Sequence, residues 1–180
     1  SRPPLRVLID GRLRVPLNNS YDSTILYTDW FLARVIGTLK GSGQRSAIAY
    51  VADHGQALYD GSCKLAFHGH NTQYDFHVPA FVWYSDLYRE RYPHKVEQLA
   101  RHRRARLATE NMFHTLLDLA DIRYPGEQLE RSFVNAGFTE RKIRIEFGQI
   151  LRPVHGLEWR SRLRLCTHLG IVAPFVCALL

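Results

Sequence analysis

The chain reads as an α/β protein with a mainly parallel sheet flanked by helices. Three apolar, β-rich runs predict it: Leu5–Ile9, Ala47–Ala52 and Val78–Trp83. So do two segments with helical spacing, at 22–40 and 109–122. In chain order these give strand, helix, strand, strand, helix, and such alternation favours a sheet with helices packed on it.

Each element has its own justification. Leu5–Ile9 is short, apolar and ended by Asp10-Gly11, a strand followed by a turn. Asn18-Asn19-Ser20 is a polar loop able to cap the next helix. From Asp22 to Lys40, Ile25, Leu26, Leu32, Val35, Ile36 and Leu39 recur on one helical face, and Gly41-Ser42-Gly43 stops the helix. Ala47–Ala52 is the next strand. Residues 55–77 are rich in Gly, His and polar side chains and read as a long irregular loop, a type usually functional or disordered. Val78–Trp83 is a strand with Pro79 near its start. Arg89–Arg106 is charged and helical in part, broken at Pro93. Thr109–Ile122 is a stronger helix with Met112, Phe113, Leu116, Leu117 and Leu119 on one face, closed by Tyr124-Pro125-Gly126. Phe133 to Arg141 has no clear periodicity.

With 180 residues, 46% of them apolar, the chain has material for one domain with a core. The net charge of +7 points to an anionic partner such as phosphate, lipid headgroup or nucleic acid. The arginines cluster at 101–106 and 152–164 without the interleaved aromatics of nucleic-acid readers, so no nucleic acid is expected. A basic anion-binding module stays an alternative. Cys63, Cys166 and Cys177 lack metal-ligand spacing, and their odd number leaves one unpaired. No signal-peptide core follows Ser1-Arg2-Pro3-Pro4, and no run is long and apolar enough to span a bilayer. Leu165–Leu180 is expected as a core segment or a poorly fitting end.

The chemistry gathers after the second strand. Asp53-His54 sits at its end, followed by Gly55, which frees the backbone to turn. Ligands at the C-terminal edge of a parallel strand lie where open α/β sheets place their sites. A hard carboxylate oxygen with a neutral imidazole nitrogen suits zinc, at about 2.0–2.2 Å. His68-Gly69-His70 follows in the loop. The plain alternative is that Asp53 caps a turn and His54 is a surface histidine.

In order along the chain, five segments resemble the alkaline-phosphatase/sulfatase superfamily, and within it the phosphoethanolamine transferases of bacterial envelopes. Asn19–Asp29 resembles the family's Y-D-N-T-I-L-Y-T-D segment, and Val51–Gln56 its S-D-H-G-E. His68-Gly69 stands where the family has a second His-Gly, and His77–Trp83 is similar to its V-P strand. Asn111–Leu119 is similar to a helix near the family's C-terminus. The match covers about residues 18 to 141.

The resemblance implies an alkaline-phosphatase-like fold, here incomplete. It implies zinc held by Asp53 and His54, with His68 on a second metal or on the transferred phosphoryl group. His70, two residues away, is the alternative to His68, and His77 reads as a structural residue entering the strand. The implied activity is phosphoethanolamine transfer to envelope lipid (lipid A or lipopolysaccharide) from phosphatidylethanolamine, through a phosphorylated Thr. A metal-dependent sulfuric or phosphoric ester hydrolase is a second reading.

Departures from the family shape the expectation. Gln56 replaces its Glu. Neither its first acidic ligand nor its nucleophilic Thr has a counterpart, and Thr24 and Thr28 lie in the amphipathic helix, so no catalytic residue is assigned. The family is anchored in the inner membrane with a periplasmic catalytic domain; membrane association here would depend on a missing N-terminal part. The expected organisation is therefore the C-terminal part of a sulfatase-like catalytic domain over 1–141, truncated and inactive, followed by a divergent basic and apolar tail over 142–180.

Overall fold

The computed structural model describes residues 14–59, 65–70 and 72–140, and the backbone of 175–179. The expected strand at Leu5–Ile9 lies outside these residues, as do residues 165–174 of the tail. Helix α1 (Arg14–Gly41) leads into β1 (Ala47–Val51). A two-residue hairpin follows, β2 (Ala57–Leu58) with β3 (Ala66–Phe67), then the single turn α2 (Gln73–Phe76). Strand β4 (Pro79–Tyr84) precedes α3 (Asp86–Arg91), α4 (Pro93–His102), α5 (Glu110–Leu119) and a 3-10 turn at Leu129–Arg131. Strand β5 (Phe175–Leu179) closes the order, so the tail contributes to the main sheet.

That sheet runs β1-β4-β5, and both pairings are antiparallel. The expected parallel sheet is corrected for the described strands. Apolar runs report that a strand is buried, not which way its neighbour points. Between β1 and β4 the described residues form the β2–β3 hairpin and the single turn α2, and the chain returns antiparallel, with Ala47 opposite Tyr84 and Val51 opposite Ala80. Pro79 begins β4, where a missing N–H costs least.

One face of β4 carries the core. Ala80, Val82 and Tyr84 alternate inward and meet Tyr88, Tyr92, Leu99, Leu107, Met112, Leu119, Phe133 and Val134. On the opposite face Tyr50 stacks on Phe81 at 5.2 Å. Ser85 joins sheet to helix: its Oγ accepts from Ser46 N at 3.0 Å and caps α3 through Tyr88 N at 3.2 Å. Pro93 is the first residue of α4, so the expected break at that position is the boundary between two helices.

Helix α5 differs from expectation in its end and its face. It stops at Leu119 because Asp121 turns left-handed (φ 58°), with Asp121 N on Asp118 O and Ile122 N on Leu117 O. Its buried stripe is Asn111, Met112, Thr115, Asp118 and Leu119, whereas Phe113 and Leu116 are exposed. The buried polar residues bond the segment that packs across them. Asn111 Nδ2 donates to Arg131 O, Thr115 Oγ1 accepts from Phe133 N, and Asp118 Oδ2 accepts from Ser132 Oγ.

Candidate metal centre

Beyond Val51 the strand holds for one more bond, Ala52 N to Pro79 O at 3.2 Å, and the chain then leaves the sheet with Asp53-His54-Gly55. The Asp53 side chain is 90% exposed and that of His54 43%. Asp53 Oδ1 accepts from His54 N at 3.0 Å. That bond first, then its own backbone N–H and the charge of His54, hold the Asp53 carboxyl below the usual carboxylate range. The ring of His54 is oriented by the next residue, with Nδ1 2.8 Å from Gly55 O. A carbonyl cannot donate, so Nδ1 carries a hydrogen, and in the neutral ring this leaves the lone pair on Nε2. Metal-ligating histidines are commonly fixed in this way. Nε2 stands 3.8 Å from Asp53 Oδ2. Two ligands each about 2.0–2.1 Å from a tetrahedral zinc lie roughly 3.3 Å apart, so a small adjustment fits this pair to one ion.

The His-Gly loop is brought back by the β2–β3 hairpin. Phe67 and Gly69 flank His68 and both adopt left-handed backbone, φ 69° and 86°. Such a conformation suits glycine and is unusual for phenylalanine. The ring of His68 then lies 4.0 Å from that of His54, tilted by 34°. His70 turns elsewhere: its Nε2 is 2.7 Å from Ala66 O, and its charge acts on Asp75. The fold therefore gathers Asp53, His54 and His68 and leaves His70 outside. His68 stands as a ring neighbour, not as a third donor. Among the described residues no group of three His, Cys, Asp or Glu side chains is arranged to hold a metal ion. The donor types and the Asp53–His54 spacing fit zinc for two positions of its shell.

Gly55, which reads in the sequence only as a turn, and Asp75, which no motif of the sequence marks as part of the site, join these loops. Gly55 N donates to Asp75 O at 2.7 Å, and a Cβ on Gly55 would lie 2.0 Å from Tyr74 O. Asp75 is 5% exposed; its Oδ1 accepts from Gly69 N at 3.1 Å, and its Oδ2 from Thr72 N at 2.8 Å and Thr72 Oγ1 at 2.9 Å. Burial pushes its carboxyl up, but these bonds outweigh burial and leave it below the usual range. Thr72-Gln73-Tyr74-Asp75 has the Thr-x-x-acid form of a capping box, a signal that was available. Thr24 and Thr28 are bound within α1, each hydroxyl donating to a carbonyl one turn back.

Compared with known proteins, residues 13–122 match the sulfatase family profile. The chain belongs to the sulfatase family. This sulfatase-family chain is 31% identical over 126 residues to the phosphoethanolamine transferase EptC of Escherichia coli K12, covering 68% of itself and 21% of that protein. Against the phosphoethanolamine transferase EptA of Salmonella typhimurium it is 31% identical over 117 residues, 59% of itself and 20% of EptA. It thus spans about a fifth of the length of these curated relatives. Among solved structures, the C-terminal periplasmic domain of E. coli EptC superposes with TM-score 0.65 at 26% identity, over 78% of this chain and 38% of that one. A zinc complex of that domain gives the same TM-score at 24% identity, a likeness of fold alone. The fold is accordingly the alkaline-phosphatase-like fold of the sulfatases.

Proposed function

We propose that this chain is the C-terminal part of a zinc-dependent phosphoethanolamine transferase domain that modifies envelope lipid on the periplasmic side of the inner membrane. One observation carries the metal half of the reading: Asp53 and His54 leave β1 together, with His54 Nε2 freed by the Gly55 carbonyl and facing Asp53 Oδ2. Relatives named phosphoethanolamine transferases support the chemical class. The donor is phosphatidylethanolamine and the acceptor a lipid A-like headgroup.

The chain's own residues have definite tasks in this reading. Asp53 supplies a charged oxygen and His54 a neutral nitrogen. His68, against the His54 ring, binds an oxygen of the transferred phosphoryl group or a second metal. A bound zinc neutralises phosphate charge and lowers the pKa of a coordinated hydroxyl. The rest of catalysis in phosphoryl transfer is positioning and electrostatics. Thr24 and Thr28 are not assigned as nucleophile, because their hydroxyls are held in α1. No helix among the described residues is long and apolar enough to cross a membrane.

Zinc calorimetry at neutral pH tests the site. The expected result is weak, stoichiometric binding that Asp53→Ala and His54→Ala each abolish. Sub-nanomolar binding surviving Asp53→Ala would place the ligands elsewhere. With a labelled phosphatidylethanolamine analogue and added zinc, the 180-residue chain is expected to give no transfer and no hydrolysis above background. Turnover that His54→Ala abolishes would keep the site and overturn the expected inactivity.

A further inference from the structure

The geometry points to Asp75 as the positioning residue that sets His68 against His54. This inference rests on the reading of Asp53 and His54 as metal ligands, and adds a residue which touches neither metal nor substrate. The two candidate loops flank one hairpin: Ala57 of β2, two residues beyond Gly55, pairs with Phe67 of β3, the residue before His68, and this short pairing brings the loops to the same place without fixing the backbone after either histidine. Asp75 is bound to both loops. Its backbone carbonyl accepts from Gly55 N at 2.7 Å, one residue beyond His54. Its carboxylate accepts from Gly69 N at 3.1 Å, one residue beyond His68. The same peptide thus fixes the backbone immediately after each histidine, and the two rings meet at 4.0 Å.

A plain helix cap would explain only part of this. Capping α2 needs Oδ2 alone, which already accepts from Thr72 N and Thr72 Oγ1. The second oxygen reaches outside the cap, to a glycine in left-handed conformation that orients His68. The carboxylate is buried and all three of its bonds come from groups within 69–72. Asparagine has one acceptor oxygen and would turn an N–H toward at least one of those donors, so it cannot reproduce the set. On the other side, Gly55 must stay glycine, because Tyr74 O occupies the place of its Cβ. Asp75 therefore acts as a pin through both loops, and the proposed ligand pair inherits its relation to His68 from it.

Two measurements on the full 180-residue chain test this. In the metal-free protein, a nuclear Overhauser contact between the His54 and His68 rings is expected in the wild type. It should vanish in Asp75→Asn while the near-ultraviolet dichroism of the tyrosine-rich core is kept. In the second measurement, zinc affinity in the presence of inorganic phosphate is read by competition with a chromophoric chelator. Asp75→Asn is expected to weaken it about 10- to 100-fold, as loss of an outer-shell partner does. In a cycle with His68→Ala, the double variant should be no weaker than the weaker single, because Asp75 acts through His68. Full additivity would mark Asp75 as merely structural and overturn the inference, as would a ring contact that persists in Asp75→Asn. Thr72→Val deletes one of the three bonds and keeps the charge; it should give a smaller fall, and it decides the case if Asp75→Asn does not fold. If zinc affinity is indifferent to Asp53→Ala, the ligand reading fails, and the ring contact alone then decides whether Asp75 joins the two loops.

Discussion

Gly55 lies against the carbonyl of Tyr74 so closely that a methyl group there would sit 2.0 Å from the oxygen. Backbone does not yield as a side chain tip does, so the loops would have to part. Gly55→Ala is expected to cost about 1–3 kcal/mol, the usual range for overpacking. Urea unfolding checks it, and a value within about 0.5 kcal/mol of wild type, the scale of a neutral surface change, would contradict the close approach. Tyr88 is a second residue whose environment makes a sharp statement. Its hydroxyl donates to Leu119 O at 2.7 Å inside the core, and burial first, then the neighbouring Tyr92 and Asp118, pushes its phenol well above the ordinary value of 10.0. A phenol with a raised folded pKa keeps its proton longer folded than unfolded. Its stabilising contribution is therefore full below about pH 10 and is lost as pH rises through the folded value. Tyr84 is raised too, chiefly by burial, and acts with the same sign. Tyr88→Phe is expected to cost about 1–3 kcal/mol, because Leu119 O loses its buried donor. It should also make the alkaline loss of stability shallower, leaving the share due to Tyr84. An unchanged slope in denaturation at pH 9–12, the range bracketing phenol ionisation, would refute this.

At the scale of elements, α4 and α5 are joined through a buried cation. The Lys95 side chain is 3% exposed, with Nζ 3.3 Å from Asp118 Oδ1 and 3.0 Å from Asp121 Oδ1, and it also donates to Asp118 O. The ring of Tyr92 lies 4.8 Å from the ammonium. Asp118→Ala leaves the buried ammonium with Asp121 as its one carboxylate partner, so it should cost up to about 3–5 kcal/mol, the range for a broken buried pair. Replacing the pair together by Lys95→Met and Asp118→Leu should recover most of that, since the desolvation penalty goes with the charges. Chemical denaturation of the single and double variants is the check; equal losses in both would mean that packing, not charge, is at stake. Asp121 joins the network from the left-handed end of α5. The Lys95 hydrogen bond first, then its charge, holds the Asp121 carboxyl below the usual range. A depressed folded value gives stability that is present above the unfolded pKa of 3.8 and disappears as pH falls through the lower folded value. Asp121→Asn should therefore flatten the acid limb of the stability profile below about pH 4.

Among the described residues, the long first helix is sparsely covered. Its inner stripe touches the domain, yet only Ile36 is fully buried. Leu26 is 69% exposed, and Tyr27, Trp30 and Phe31 beside it are also largely open. Residues 26/30 and 27/31 are four apart, so the four side chains form one apolar patch. A patch of this kind makes an isolated chain sticky. The 180-residue chain is expected to bind an environment-sensitive dye and to self-associate with concentration. Leu26→Lys with Phe31→Glu should reduce both by several-fold while the thermal midpoint stays close to wild type. Sedimentation velocity decides; a wild-type chain that is monomeric and silent to the dye would show the patch to be inert.

The sequence by itself located β1, β4, the body of α5 and the break at Pro93 and marked candidate residues for chemistry, but α1 starts at Arg14 and takes in Asn18-Asn19-Ser20, which reads as a loop. Periodicity placed β1, β4 and α5, and Pro93 marked a helix boundary, because local burial and backbone rules act over a few residues. Family-like motifs mark Asp53, His54 and His68 as candidates in the same way: each is read from its own neighbours. Strand direction was beyond that reach, since an apolar run such as Pro79–Tyr84 looks alike whichever way its partner points. The buried face of α5 was misjudged because Asn111, Thr115 and Asp118 bury only where distant groups satisfy them. His68 was separated from His70 by left-handed backbone at Phe67 and Gly69, and by a carboxylate at Asp75 whose second oxygen found Gly69. Strand pairing and the buried polar face of α5 are relations between segments remote in the chain, and only the tertiary structure decides them, because no local free energy distinguishes one remote partner from another.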